Sequence, residues 1–491
     1  MSASNLLISG GEVLGADGAL QRADVLVADG KIERVGRFDA PSETPVLDAG
    51  ATIVAPGLIN AHYHSNENFN PGRYENLPLD LWFVHSHQVT RAEPMSAEAI
   101  YARTLLGAVQ MLQSGTTAVV DFLFEAPDIT IDTLEPVVRA YRDCGLRATI
   151  LLGVADKPFA ASLPLPPHDA AIAGREAAPP DLEGIMGVAR AAVERFHEPG
   201  GTIGIGLGPS APQRCSERLL DQTAALAREH GLVWQTHVQE TRTQLVTARE
   251  WHDGATFVEV LGERDLLGPH ATLVHTVWLT AGDMRRMAAT ETSAVHCPYS
   301  NLRLGDGVAN LPGLREAGVR VALGTDGRGC DETLDALELT RLAALLPKAR
   351  GLPFEHWTTA AEAFAMATRE ASHCAGHGES LGRVEVGARA DLVLLRRDTP
   401  TFTPLHDPVR QLVFGATARD VRTVLVDGRI VVDGGEVVGV DMAALLSDCS
   451  RFAAEELDLA ADAEASTAVE AVVRAVHERA ERAPLDVHSY I

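Results

Sequence analysis

The chain of 491 residues is short of positive charge and of long apolar runs. Lys and Arg number 42 against 67 Asp and Glu, which leaves a net charge of −25. Proteins that bind nucleic acids or anionic membranes carry a basic footprint, so this balance argues against both partners. No apolar run approaches the ~18 residues that span a bilayer, and no basic segment leads into an apolar one at the start. We therefore expect a cytoplasmic protein.

Paired cysteines are also missing. The six cysteines are scattered, and no two form a C-x-x-C arrangement. This spacing excludes a zinc knuckle and a thioredoxin-type motif, and it fits a reducing cytosol. Aromatic residues make up only 5% of the chain, whereas the hydrophobic fraction reaches 46%. Such an aliphatic composition favours layers of Val- and Leu-rich strands and Ala-rich helices.

Short strand patterns with tight turns stand at both ends of the chain. Asp29-Gly30 near one end and Asp427-Gly428 near the other are strong hairpin dipeptides. The simplest union of the two ends is one small β-sandwich domain built from residues 1–55 and 385–440.

Residues 56–384 are predicted to form the second domain, in which aliphatic strands alternate with helical patterns. Eight candidate strands lie at 52–59, 118–122, 147–153, 202–208, 232–236, 271–274, 292–295 and 319–324. This alternation indicates a parallel sheet. Eight units favour a closed TIM-like (β/α)8 barrel, with a doubly wound open sheet as the alternative. The predicted fold class is α/β, with the β-sandwich domain attached to the barrel.

Three segments stand outside this alternation. Residues 62–95 and 155–181 are long loops that follow strands, and loops of such length are often functional. Both are lid candidates, and the second could also be a mere surface excursion. Residues 441–491 form an acidic, Ala-rich tail with helical spacing, predicted to make surface or oligomer-contacting helices.

Metal-capable side chains follow five of the predicted strands. The first strand ends in His62 and His64, and later strands end in His237, His275, His296 and Asp326. In a barrel the carboxyl ends of the strands share one face, so these groups would meet there. Singly, each could be a buried histidine or a helix cap. Together they indicate a shared metal site, because imidazole suits zinc, copper, iron and nickel.

Glu240 and His296 have roles apart from metal binding. Glu240 lies three residues after His237, and both would face the same way if a helix began there. A carboxylate beside a metal-bound water can move its proton to a leaving group, although a first-turn Glu can also merely complement a helix N-terminus. His296 precedes the tight-turn signal Cys297-Pro298, so we expect it to be structural or pocket-lining.

These motifs resemble the amidohydrolase superfamily, in particular its branch of cytosine deaminases, S-adenosylhomocysteine deaminases and triazine hydrolases. The matching segments are residues 56–64, 114–117, 237–240, 274–275, 296–301, 324–327 and 387–393. The resemblance implies a (β/α)8 barrel with a β-sandwich from both chain ends, which agrees with the pattern of strands and helices.

The resemblance also implies how the site is equipped. One divalent metal, zinc or else iron, would be held by His62, His64, His237 and Asp326. Catalysis would use Glu240, His275 and Asp326, with His275 orienting the water and the two carboxylates accepting protons. Relatives with two metals bridge them by a carboxylated lysine after strand four, and here that strand ends in Ser210 without a lysine.

The implied activity is that of an aminohydrolase acting on C–N bonds other than peptide bonds. Metal-bound hydroxide would attack a ring carbon of a small nitrogen heterocycle, such as a cyclic amidine, and release ammonia or an amine. The alternatives are a hydrolytic dehalogenase or cyclic-amide hydrolase on the same scaffold, and a catalytically silent scaffold protein. By analogy with relatives, we expect a homo-oligomer.

Candidate substrate-binding residues are Trp82, His296, Asn301 and Cys330. Nucleoside deaminases of this branch carry a glutamate about ten residues after the tryptophan motif. Here the glutamate is absent from that place or shifted to Glu93. This departure argues against adenosine-like substrates.

Overall fold

The structure is a computed structural model that describes residues 5–39, 44–86, 93–164, 181–457 and 459–487. Its strands, in chain order, are β1 (Leu6–Leu14), β2 (Leu20–Ala28), β3 (Lys31–Gly36), β4 (Val46–Asp48), β5 (Thr52–Pro56), β6 (Leu58–Tyr63), β7 (Thr116–Leu123), β8 (Arg147–Val154), β9 (Ile203–Pro209), β10 (Trp234–Val238), β11 (Ala271–His275), β12 (Ser293–His296), β13 (Val321–Leu323), β14 (Leu392–Arg396), β15 (Val421–Val426), β16 (Arg429–Asp433) and β17 (Glu436–Val437).

The helices lie mainly between the barrel strands and at the carboxyl end. They are α1 (Leu79–Ser86), α2 (Ala97–Gln113), α3 (Ile131–Cys144), α4 (Leu182–Phe196), α5 (Glu217–His230), α6 (Arg242–Trp251), α7 (Phe257–Glu263), α8 (Ala281–Ala289), α9 (Pro298–Arg303), α10 (Leu311–Ala317), α11 (Ala336–Leu345), α12 (Ala360–Met366), α13 (Arg369–Cys374), α14 (Pro408–Gly415), α15 (Met442–Glu456) and α16 (Leu459–Arg482). Within the described ranges, no helix is long and apolar enough to cross a membrane.

A parallel barrel forms the centre of the molecule. Strands β6 to β13 pair in sequence order in one eight-stranded sheet, and neighbouring strands run parallel. The first and last strands meet where Asp326 N donates to the carbonyl of His62 at 3.0 Å. The predicted barrel is therefore confirmed, and the open doubly wound sheet is excluded.

A second, mixed sheet is built from both ends of the chain, as predicted. Its strands run in the order β17-β16-β15-β14-β5-β1-β2-β3, with β4 beside β1. The antiparallel pairing of β5 with β14 joins the two ends. A buried ion pair ties this sheet to the barrel, where Arg147 Nε lies 2.9 Å from Asp391 Oδ2. The domain limits at 55/56, 384/385 and 440/441 stay a prediction.

The predicted first strand, 52–59, is wrong in one respect. It is two strands, because β5 belongs to the end sheet and β6 to the barrel. Gly57 separates them, and its N–H donates to the carbonyl of Asp391. A Cβ at Gly57 would lie only 2.1 Å from Thr117 Oγ1, so the close crossing between the sheets requires glycine.

The predicted lid loops contain regular structure in their described parts. Residues 62–95 hold a 3-10 turn, Ser65–Glu67, and helix α1, whose Leu81 and Val84 are buried. A second 3-10 turn, Phe159–Ser162, follows β8. Residues 87–92 and 165–180 lie outside the described residues. The prediction of a loop over 62–95 was therefore wrong in part, because α1 forms within it and packs its apolar side against the tail.

The carboxyl-terminal tail forms two helices, as expected. Helix α15 packs on α2, and α16 packs on α1 and α6 beside the barrel mouth. Val473 and Val476 of α16 join Leu81 and Phe159 in one buried cluster. The tail is therefore packed against the lid segments.

Candidate active site

Four histidines converge at the carboxyl ends of the barrel strands. His62 lies near the end of β6 and His64 directly after it, while His237 and His275 lie in β10 and β11. The ring centroids of His62 and His64 are 4.7 Å apart, and those of His62 and His237 are 4.9 Å apart. His237 and His275 stack at 5.5 Å. The structure therefore brings together imidazoles that the sequence spreads over more than 200 residues.

Each imidazole is oriented through its Nδ1. His62 Nδ1 lies 2.7 Å from the side-chain oxygen of Gln235, and His64 Nδ1 lies 2.6 Å from the Phe122 carbonyl. His237 Nδ1 donates to the Ser210 carbonyl at 2.6 Å, and His275 Nδ1 donates to Asn301 Oδ1 at 2.9 Å. Because all four acceptors are oxygens, Nδ1 carries the proton and Nε2 keeps its lone pair. This is the arrangement of metal-binding histidines.

Asp326 completes the group. Its Oδ1 lies 3.0 Å from His64 Nε2 and 3.4 Å from His62 Nε2. Gly324 permits this approach, since a Cβ there would lie 2.7 Å from His62 Cβ. Asp326 has a φ of 66° and His275 a φ of 68°, both in the left-handed region that non-glycine residues rarely adopt. Such strained residues cluster at functional sites.

The donor set fits a divalent metal. Ligand atoms of His62, His64 and Asp326 lie within 4.8 Å of one another, and so do those of His62, His237 and His275. His62 Nε2 is buried and has no hydrogen-bond partner among the described residues, which is costly unless it binds a cation. Imidazole nitrogens with one carboxylate oxygen suit zinc and iron.

Electrostatics agree with a cation at this place. Burial raises the pKa of Asp326, but the close approach of the His62 and His64 imidazoles outweighs it and holds that pKa well below its usual range. Burial and the neighbouring imidazoles keep the pKa of His237 well below 6.5. The carboxylate is therefore charged and the imidazole neutral near neutral pH, which are the states that bind metals.

Glu240 lies on the same side of the site. Its Oε1 is 3.4 Å from His275 Nε2, and its N–H donates to Gln244 Oε1 at 3.0 Å. Burial, followed by the negative charge of Asp326, raises the Glu240 pKa well above its usual range. A buried carboxyl group with a raised pKa is a stronger base, suited to proton transfer near neutral pH.

The local backbone around Glu240 differs from the expectation. No helix begins at His237, because Gln239 has a φ of 49° and Thr241 caps α6 two residues later. Glu240 reaches the site from this turn and not from a helical face shared with His237. A strained turn cannot be read from residue spacing alone.

A cavity with about 760 Å³ of empty space, its open mouth included, lies beside these donors. Its volume is typical of small-molecule sites. Among the predicted substrate-binding residues, Trp82 lines it. The aromatic part of the wall also includes Phe83 and Phe159, whose rings stack at 4.5 Å. These rings come from the two predicted lid segments.

The other predicted substrate-binding residues lie behind the cavity wall. Asn301 holds His275, and His296 is buried with its Nδ1 unpartnered among the described residues. Cys330 packs against Trp82 and Leu304, and its thiol donates to the carbonyl of Gly327 at 3.1 Å. Their roles as substrate ligands stay predictions that this placement does not favour.

The cavity also contains charged residues that the sequence did not single out. Glu67 is buried, accepts a hydrogen bond from Gly329 N at 3.2 Å, and has its pKa raised by burial to about 7. Asp80 and Arg214 line other parts of the wall. Glu67 and Asp80 fall inside a predicted loop, so no strand end marked them. A buried acidic residue beside the His-x-His motif was the available signal for Glu67.

A parallel barrel with convergent imidazoles and a carboxylate at its strand ends defines a metal-dependent hydrolase. Residues 53–431 match the amidohydrolase family. A 5'-deoxyadenosine deaminase of Methanothermobacter thermautotrophicus is 32% identical over 93% of this chain and 99% of its own. A 5-methylthioadenosine/S-adenosylhomocysteine deaminase of Halobacterium salinarum is 34% identical over 92% and 97%. The chain therefore belongs to the amidohydrolase family.

Solved structures share the fold. An adenosine deaminase from Xanthomonas campestris with bound zinc has a TM-score of 0.80 at 25% identity, covering 92% of this chain and 98% of that one. An atrazine chlorohydrolase from Arthrobacter aurescens TC1, complexed with zinc, has a TM-score of 0.83 at 23% identity, covering 91% and 100%. The chain is a metal-dependent aminohydrolase that acts on a nitrogen heterocycle and cleaves C–N bonds other than peptide bonds, as the sequence predicted.

Proposed function

We propose that this enzyme deaminates adenosine derivatives by hydrolysis at the ring carbon that carries the amino group. The observation that carries the proposal is the position of Glu240, 3.4 Å from His275 Nε2 and beside the convergent imidazoles. The relatives that are 32–34% identical are deaminases of adenosine derivatives, which supports the same substrate class here. The departure that argues against adenosine-like substrates lies at residues 90–93, of which 90–92 lie outside the described residues.

The chain's own residues divide the proton transfers between them. Water adds to the ring carbon, and its first proton passes through Glu240 to the ring nitrogen. The second proton passes from the new hydroxyl group through Asp326 to the amino group, so that the C–N bond breaks, the ring C=O forms and ammonia leaves. His275, fixed by Asn301, donates no Nδ1 proton to the reaction and keeps its Nε2 toward the reacting atoms. Each transfer needs hydrogen-bond contact, which these side chains supply in one cluster.

The proposed cofactor is one zinc ion, held by His62, His64, His237 and Asp326. When bound, the metal supplies Lewis acidity and lowers the pKa of water toward ~7. The end of β9 supports a single ion, because it has no lysine to bridge a second one. Ser210, at that place, accepts a hydrogen bond from His237 through its carbonyl. Iron is the alternative that the same donors accept.

The competing activity is hydrolytic dehalogenation. It is favoured by the chlorohydrolase with a TM-score of 0.83, but at 23% identity this likeness concerns the fold alone. Steady-state assays should read ammonia and halide in parallel, with metal content measured on the same sample. Ammonia release from 5'-deoxyadenosine supports the proposal. Halide release without ammonia release would replace deamination by dehalogenation.

Location and assembly belong to the same proposal. All six cysteines are free and buried, which supports a reducing, cytoplasmic setting. The partly exposed rings of Trp357 and Phe414 both contact Lys348 and form one apolar patch, which supports a homo-oligomer. Light scattering of the purified protein tests the assembly.

A further inference from the structure

The last helix, α16, packs against segments whose side chains line the cavity. Val473 and Val476 of α16 pack against Leu81 of α1 and Phe159 of the loop after β8. On α6, Arg242 Nε donates to the carbonyl of Ala480 at 2.8 Å. The guanidinium thus caps the carboxyl end of α16, where the helix dipole favours positive charge. One helix therefore contacts three segments that supply cavity residues.

Asp80 is the residue at which these contacts reach the cavity. It lies in the first turn of α1, is buried, and lines the cavity. Its Oδ2 accepts hydrogen bonds from Thr243 Oγ1 of α6 at 2.6 Å and from His477 Nδ1 of α16 at 3.2 Å. Within the described ranges, both hydrogen bonds fall on the same oxygen. Oδ1 is left as an acceptor for a bound molecule.

We propose that Asp80 is a substrate-binding residue, and that His477 of the carboxyl-terminal helix is its positioning residue. Asp80 would accept a hydrogen bond from an N–H or O–H group of the substrate other than the reacting amino group. The inference rests on the proposed deaminase function and deepens it. It makes α16, which lies beyond the family-matched residues 53–431, a part of the active site.

The cost of burial supports this role. A buried carboxylate is destabilising unless its oxygens are hydrogen-bonded. The contacts of Asp80 satisfy Oδ2, whereas an asparagine or threonine could link α1 to α6 and α16 without a buried charge. The arrangement stabilises a charged acceptor at the cavity wall, which is how polar groups confer specificity on largely apolar sites.

His477 acts on Asp80 from outside the cavity. It is half-buried on α16 and does not line the cavity wall, and its Nδ1 fixes the Oδ2 side of the carboxylate. Thr243 constrains the same oxygen from the opposite helix. With Oδ2 held from two sides, Oδ1 has one orientation, and the substrate meets a preorganised acceptor.

The test uses steady-state kinetics of the metal-loaded full chain on three purines. 9-Methyladenine has no donor besides its amino group, adenine adds a ring N–H, and 5'-deoxyadenosine adds hydroxyls. For Asp80→Asn we expect KM to rise roughly 10- to 100-fold on the one substrate, adenine or 5'-deoxyadenosine, whose donor contacts Asp80, with kcat within about threefold, since a charged hydrogen bond is lost. On 9-methyladenine, kcat/KM should stay within about twofold. Whether adenine or 5'-deoxyadenosine shows the loss identifies the donor.

The helix is tested by a matched set of variants. His477→Leu should raise KM several-fold on the same substrate, and His477→Asn, which keeps a donor near the Nδ1 position, should restore it. His85→Leu is the control, because His85 contacts Glu470 of α16 at 3.6 Å without touching Asp80. It should leave KM unchanged.

The outcomes separate the two proposals. Unchanged KM in Asp80→Asn, or an equal loss on all three purines, overturns the role of Asp80 while leaving the deaminase proposal intact. Equal effects of His477→Leu and His85→Leu overturn the positioning role of His477. A wild-type enzyme that releases ammonia from none of the purines overturns the proposed function, and the inference with it.

Discussion

Asn60 and Thr325 join the first and last strands of the barrel through a pair of hydrogen bonds. Asn60 Nδ2 donates to Thr325 Oγ1 at 2.7 Å, and Thr325 N donates to Asn60 Oδ1 at 3.1 Å. Two residues after Asn60 comes His62, and directly after Thr325 comes Asp326. This pair therefore fixes the distance between two of the proposed metal ligands.

The first prediction follows from that pair. Asn60→Ala should lower the free energy of unfolding by about 2–4 kcal/mol, because two buried hydrogen bonds are lost and their partners stay unsatisfied. Metal affinity should fall roughly 10- to 100-fold, as for other residues that support ligands. Urea denaturation and metal titration measure the two effects. Thr325→Ser, which keeps the hydroxyl, is the control, and normal metal affinity in Asn60→Ala would refute the link.

The second prediction concerns proton transfer. Glu240→Gln should reduce kcat by roughly 100- to 10,000-fold, since an amide cannot shuttle protons. Bound metal should be retained, because Glu240 is not a proposed ligand. Glu259→Gln is the matched control, since Glu259 belongs to the capping box of α7. Full activity in Glu240→Gln would show that another group moves the proton.

The third prediction separates Asn301 from Cys330. Asn301→Leu should lower kcat roughly 10- to 100-fold, because His275 Nδ1 loses its acceptor and the ring its fixed orientation. Cys330→Ala should leave kcat and KM within about twofold, since the thiol donates to a backbone carbonyl behind the wall. Normal kcat in Asn301→Leu together with a raised KM in Cys330→Ala would instead indicate that Cys330 binds the substrate.

The fourth prediction is a pH dependence at the carboxyl-terminal helix. The hydrogen bond to Asp80 is the main cause that raises the pKa of His477 above its ordinary value of 6.5. Protonated His477 therefore stabilises the packed helix fully below about pH 6.5, and the stabilisation is lost as pH rises through the elevated pKa. Hydrogen exchange of residues 473–480, corrected for intrinsic rates, should accelerate across that interval. In His477→Asn this pH-dependent acceleration of exchange should be absent. If it is unchanged, a group other than His477 causes it.

The barrel and the convergent histidines were predictable because both follow from local patterns. Eight aliphatic runs alternate with helical segments, and polar residues stand where the runs end. Strand periodicity also predicts that Tyr63, between His62 and His64, faces away from the metal. In the structure its hydroxyl indeed lies 2.5 Å from Asn68 Nδ2, on the helix side of the strand.

The cavity wall was less predictable, because it depends on contacts between distant segments. Asp80 belongs to a helix whose apolar side is covered by the tail, about 400 residues further along the chain. No local periodicity encodes that contact. The position of Glu240 depends on a strained φ at Gln239, and Asn301, in the helix α9 that begins directly after Cys297, contacts His275 behind the cavity wall.

The most direct test of the account compares two leaving groups at the same ring carbon. Metal-loaded enzyme is assayed on adenosine and on 6-chloropurine riboside, with ammonia, chloride and bound zinc measured in parallel. For a metal-dependent deaminase we expect stoichiometric ammonia release from adenosine, which is lost on chelation and restored by zinc. Chloride release without any ammonia release, or ammonia release that persists in metal-free protein, would contradict it.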